Sequence, residues 1–278
     1  MRTKFKTLIL PALLVFCSIQ ASMAQITISP SFVFIDSRSG VGDLFVSNNS
    51  EKDYEITISF SFGYPSSDSA GNIEMAYNDP EAGRLYGLDS MIRAFPRNFI
   101  LAANDQRTVR LQLIPAARNK EGFYFTRMKI MAKPKTADIA QQVNENVATV
   151  IKFNFEQVTA VFYYKGNVTT GLEVGDVTVN KQDSTLNLLV DLNRTGNAPF
   201  IGTMYAKLKD DKNRIVAETQ SSISIYFNVL RSVDLDISSL PAASYKLELS
   251  FETNRKDIKT KNLVQADRII CERQVEIR

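Results

Sequence analysis

The chain of 278 residues contains no histidine and no tryptophan, and only two cysteines. Without imidazole it lacks the commonest general base, the usual activator of a serine or cysteine nucleophile, and the commonest metal ligand. Cys17 falls in an N-terminal apolar stretch, which leaves Cys271 alone in the rest of the chain with no partner for an internal disulfide. Stability therefore has to come from packed cores. Long apolar runs are equally scarce. After Leu8–Phe16 nothing approaches the ~18 residues needed to cross a bilayer. Charge is not concentrated either: Lys and Arg total 33 against 30 Asp and Glu, a formal +3 to which Arg2, Lys4 and Lys6 contribute, and this is no nucleic-acid footprint. There is no P-loop, no G-x-S-x-G and no Gly-rich turn opening a helix. Asp210/Asp211 and Asp234/Asp236 read as a solvated turn and a solvated strand face rather than as paired catalytic carboxylates. No enzyme activity, cofactor or metal is expected.

What is present begins with a secretory pattern. Basic residues precede the apolar run Leu8–Phe16, and Ser22-Met23-Ala24 places small residues where a signal peptidase reads them. Residues 1–24 are thus expected to be a signal peptide, with a mature chain beginning at Gln25 outside the cytoplasm. Phe16 is too bulky for the position before a lipidated Cys17. From Ile26 onward short alternating segments separated by turn residues argue an all-β sandwich class. Tyr54–Phe62 alternates Ile56, Ile58, Phe60 and Phe62, and Asn104-Asp105 and Asp210-Asp211-Lys212-Asn213 mark turns. Later candidates are Leu172–Val179, Thr185–Leu192, Thr203–Lys209 and Ser222–Val229. The polar stretch 63–95 is long for a connection; it reads by default as a solvated insertion with a short helix near Leu85–Ile92. Gly166–Gly171 is small, polar and flanked by strand patterns, which predicts one domain over 25–165 and a second over 166–278.

The segment Val147–Lys165 has two characters. Ile151, Phe153 and Phe155 alternate with Lys152, Asn154 and Glu156, so three large apolar side chains share one face of a strand. Further on, Val158, Ala160, Val161 and Phe162 occupy both phases, the pattern of a strand covered on both faces. If positions 158, 160 and 162 enter the domain's own core, an unbroken strand turns 151, 153 and 155 away from it and leaves a stripe free for a partner. A bulge near Gln157 would instead flip the phase and return all three to the core.

Phe95–Leu101 with its Pro96, the Asn104-Asp105 turn and Arg107–Leu111 resemble the proline, loop and V-R-L strand of periplasmic pilus-assembly chaperones of the PapD-like type. Glu121–Met128 is similar to the F-Y-F strand of that family, and Val161–Lys165 to the aromatic end of the last strand of its first domain. The order also agrees across most of residues 26–165. The resemblance implies two immunoglobulin-like β-sandwich domains, joined by a short linker at an angle that forms a cleft. It also implies a periplasmic chaperone that stabilises fimbrial or other envelope subunits by donating a β-strand, without ATP hydrolysis. Ile151, Phe153 and Phe155 match the donor stripe by position, and the implied partners are pilus or envelope-fibre subunits and an outer-membrane assembly protein. The alternative is a structural or adhesive sandwich protein that stays in the envelope or fibre. One departure stands out. Phe32 and Ala160 occupy the positions where the family carries the Arg and Lys that hold a client's terminal carboxylate; Arg127 and Lys165 are the candidate substitute cleft cations.

Overall fold

The computed structural model describes residues 26–135 and 154–277. The signal-peptide expectation and residues Ile151 and Phe153 lie outside the described residues. The first domain is a sandwich of two sheets. One has the order β1 (Ile26–Ser29), β3 (Val41–Asn48), β9 (Gln106–Leu113), β7 (Ile92–Phe95). The other has β2 (Phe32–Ile35), β11 (Phe155–Lys165), β10 (Gly122–Pro134), β4 (Tyr54–Ser61), β8 (Asn98–Leu101). Period-two patterning builds its core: β4 buries Tyr54, Ile56 and Ile58 and exposes Glu55 and Thr57. Successive strands repeatedly change sheet, and two of these crossings, from β1 to β2 and from β7 to β8, are made with almost no connection. Each of these two carries a proline, Pro30 or Pro96, which has no N–H to give to a ladder.

The second domain packs the sheet β12 (Thr170–Gln182), β13 (Thr185–Gly196), β16 (Asn228–Asp236) on the sheet β15 (Ile215–Ile225), β14 (Phe200–Lys209), β17 (Ala243–Glu252), β18 (Ile269–Ile277). Leu186, Leu188, Val190 and Leu192 of β13 face Met204, Ala206 and Leu208 of β14 and Leu247, Leu249 and Phe251 of β17. The β14–β15 turn is closed by Asp210, whose carboxylate accepts from the Lys212 and Arg214 amides, with Asn213 at φ 60°.

Two expectations are corrected. Ser222–Val229 is not one strand: β15 stops at Ile225 and β16 starts at Asn228, because Tyr226 and Phe227 leave the sandwich and pack toward the first domain. The 63–95 stretch is not a solvated insertion. It forms the hairpin β5 (Tyr64–Ser67) and β6 (Ile73–Ala76), then helix α1 (Pro80–Tyr86) and a 3₁₀ turn at Asp89–Met91. The helix starts before the predicted Leu85 because Asp79 caps it, accepting from the Ala82 amide at 2.9 Å, with Pro80 at its first position.

A third apolar cluster joins the two domains. Phe123, Phe125, Ala160 and Phe162 from the first meet Ala198, Ile201, Tyr226, Ile258 and Leu263 from the second. Phe125 and Tyr226 stand edge to face with centroids 4.6 Å apart, and Tyr64 meets Phe227 in the same way at 4.7 Å. Arg194 lies over Phe227 at 5.1 Å and over Tyr86 at 5.4 Å, so that a cation and two rings tie the domains across α1.

Candidate functional site

The candidate donor strand, β11, is paired unequally on its two sides. Its ladder with β10 runs without a register shift from Gly122↔Lys165 to Ala132↔Phe155. On the other side β2 covers only part of it, in parallel pairing from Ala160↔Phe32 to Tyr163↔Ile35. Among the described residues no strand flanks Phe155–Thr159 on that side. This edge therefore presents backbone N–H and C=O groups without ladder partners, a template for an added strand.

The unbroken register decides the phase of the strand. Residues directly opposite each other in an antiparallel pair share a face, and Met128, Ile130 and Ala132, all in the first core, stand opposite Thr159, Gln157 and Phe155. Val161 and Tyr163 continue that face into the same core, while Ala160 and Phe162 belong to the interdomain cluster. The expected phase is thus reversed: odd positions take the core side, and even positions face the second domain. Periodicity could not distinguish the two faces because both are covered over 160–163. No bulge occurs at Gln157 either. Phe155 is nevertheless 37% exposed, because it sits beyond the end of the core and touches it only edge-on, with its ring 6.0 Å from that of Tyr54. On the even face Val158 is exposed and Glu156 pairs with Lys129 at 3.1 Å.

Beside Ala160, where Phe32 and Arg127 flank β11, lies a groove of about 350 Å³ between the β5–β6 hairpin and β15. Phe32, Ile73, Met75, Ile225 and Tyr226 make it apolar, and Arg127 and Arg231 make it cationic. Arg127 stands opposite Ala160 on β10, with its guanidinium 5.4 Å from the Tyr226 ring centroid and its Nε donating to the Gly63 carbonyl at 3.0 Å. Burial pushes the Tyr226 phenol up, and Arg127 acts against that shift. The Arg231 Nε is buried and has no hydrogen-bond partner among the described residues. Among the described residues neither arginine makes an ion pair. A third arginine, Arg255, lies over the Phe32 ring at 4.8 Å, and its charge is matched by Asp257. Lys165 stands opposite Gly122. Five residues along the strand from Ala160, that is about 17 Å away, and it does not line the groove. Arg231 and Arg255 carried no local motif and were missed by sequence reasoning; only the meeting of two domains brings them here.

The geometry defines a two-domain, all-β protein with a half-open strand edge and an apolar, cationic interdomain groove. No family model and no curated protein sequence matches the chain. Among solved structures it is similar to the YadV chaperone, at 10% identity over 91% of this chain and 100% of that one, with a TM-score of 0.44. It is also similar to the structure of the SafA pilin of Salmonella enterica in complex with the SafB chaperone, at 11% identity over 92% and 97%, with a TM-score of 0.42. The E. coli chaperone DraB matches at 11% identity over 91% and 95%, with a TM-score of 0.42.

Proposed function

We propose that the protein is a periplasmic chaperone that holds fimbrial or other envelope subunits by lending them the open part of β11, without ATP. The observation that carries this reading is the half-flanked strand: a continuous ladder to β10 on one side, and on the other a flank by β2 that stops at Ala160. A subunit that lacks a strand would pair with the main chain of residues 155–159. Phe155, with Ile151 and Phe153 alternating before it in the sequence, would enter its groove. Each such side chain, once buried, contributes about 1.5–3 kcal/mol before ordering costs. Arg127 and Arg231, which have no acidic partner among the described residues, suit the client's terminal carboxylate and stand in for the cations replaced by Phe32 and Ala160. Residues 1–24 direct export and are removed, which N-terminal sequencing would read as a mature start at Gln25.

The test is purification from the periplasm with its stoichiometric partner identified. The native chain is expected to carry an envelope subunit that then passes into a fibre, and the double variant Phe153→Ser, Phe155→Ser to lose it while staying folded with only a small drop in its unfolding midpoint. Retention of the subunit by that variant would sink the donor stripe. Incorporation of the protein itself into the fibre would favour a structural or adhesive role.

A further inference from the structure

We propose that the β5–β6 hairpin is a guard built into the first domain. It occupies the outward edge of β16 and so prevents the second domain from pairing with another copy of the chain. In its sheet β16 has β13 on one side only. Its free edge would offer a row of unpaired amides on the sequence Asn-Val-Leu-Arg-Ser-Val-Asp-Leu-Asp, which is rich in strand formers and has no proline. Two of those amides are already taken from across the domain boundary. The Leu230 N–H donates to Ser67 Oγ at 2.8 Å, and the Ser232 N–H donates to the Gly71 carbonyl at 3.1 Å.

The hairpin tip is shaped for this contact. The Asp68 carboxylate accepts from the amides of Ala70 and Asn72 and from the Asn72 side chain, each at 2.9 Å, which holds the turn closed. Gly71 then sits at φ +80°, and a Cβ there would come within 2.5 Å of Leu189 Cδ1 and 2.6 Å of the Ser232 nitrogen. Only glycine combines that backbone with so close an approach. The edge the guard itself leaves exposed, β6, is four residues long and carries Glu74, two features that discourage pairing.

Gly71→Val in the full-length mature chain should lift the tip. Residue-resolved hydrogen exchange is expected to speed up about tenfold or more at the Leu230 and Ser232 amides. Sedimentation should reveal a dimer that dissociates on dilution, and adding Ser232→Pro, which removes an edge donor, should restore the monomer. The milder Ser67→Ala leaves the tip seated, so it should accelerate exchange at Leu230 and not at Ser232. Unchanged exchange at both amides in both variants overturns the proposal. So does a Gly71→Val chain that stays monomeric with an exposed edge, or a dimer that persists with Ser232→Pro.

Discussion

At the scale of the residue, the most informative side chain is Phe155. It shares a face with buried Met128, Ile130 and Ala132 across the ladder partners, yet it stands past the end of the core. Phe155→Ser in the free protein should therefore cost only about 1 kcal/mol, through the lost edge contact with Tyr54. Ile58→Ala, at a fully buried position of the same domain, should cost about 2–5 kcal/mol. Denaturant melts compare the two directly, and equal losses would mean that Phe155 belongs to the core. Asn48 makes a different point. It opens an Asn-x-Ser motif, but its side chain is buried and donates to the carbonyls of Lys52 and Ala102 at 2.7 and 2.8 Å, so it is structural rather than a glycan acceptor.

At the scale of the element, α1 and the hairpin are coupled through one carboxylate. Asp79 caps the helix with one oxygen and accepts the Tyr64 hydroxyl at 2.6 Å with the other. Burial pushes the Tyr64 phenol up to about 12, and the bond to Asp79 adds to the shift. Because the folded-state value lies above the ordinary 10, the stability linked to this group is fully present below pH 10 and is lost as pH rises through about 12. Asp79→Ala should remove the cap at a cost of about 1 kcal/mol. It should also lower the Tyr64 value toward 10 without reaching it, since burial remains. Tyrosine ring NMR across an alkaline titration reads this, and an unmoved Tyr64 would show that Asp79 does not govern it.

At the scale of the whole molecule, the aromatic cluster makes the two domains interdependent. Phe125, Phe162 and Tyr226 are all fully buried at the junction, and Tyr226 alone contacts the rings of Tyr64, Phe125 and Phe162. The native chain is expected to unfold in a single calorimetric transition. Tyr226→Ala should cost roughly 3–5 kcal/mol, on the scale of deleting a buried aromatic, and split the transition into two as the domains uncouple. Two transitions in the native chain would mean that the junction transmits little.

The sequence by itself determined whatever depends on local periodicity and turn chemistry. Alternation in Tyr54–Phe62 and Thr185–Leu192, turn residues at Asn104-Asp105 and Asp210–Asn213, and the absence of any long helical pattern specified an all-β sandwich chain. The helix expected near Leu85–Ile92 starts instead at Asp79-Pro80, inside a stretch whose polarity reads as a solvated insertion. The tertiary structure alone decided the phase of β11, because a strand buried on both faces carries no periodic mark of which face meets which core. It also decided that 63–95 spans the domains, since the polarity that suggests a solvated loop equally supplies Ser67 Oγ and the Gly71 carbonyl to a distant strand edge. The cationic groove has the same origin. Arg127 and Arg231 are over a hundred positions apart, and only the packing of one sandwich against the other brings their charges onto one apolar wall.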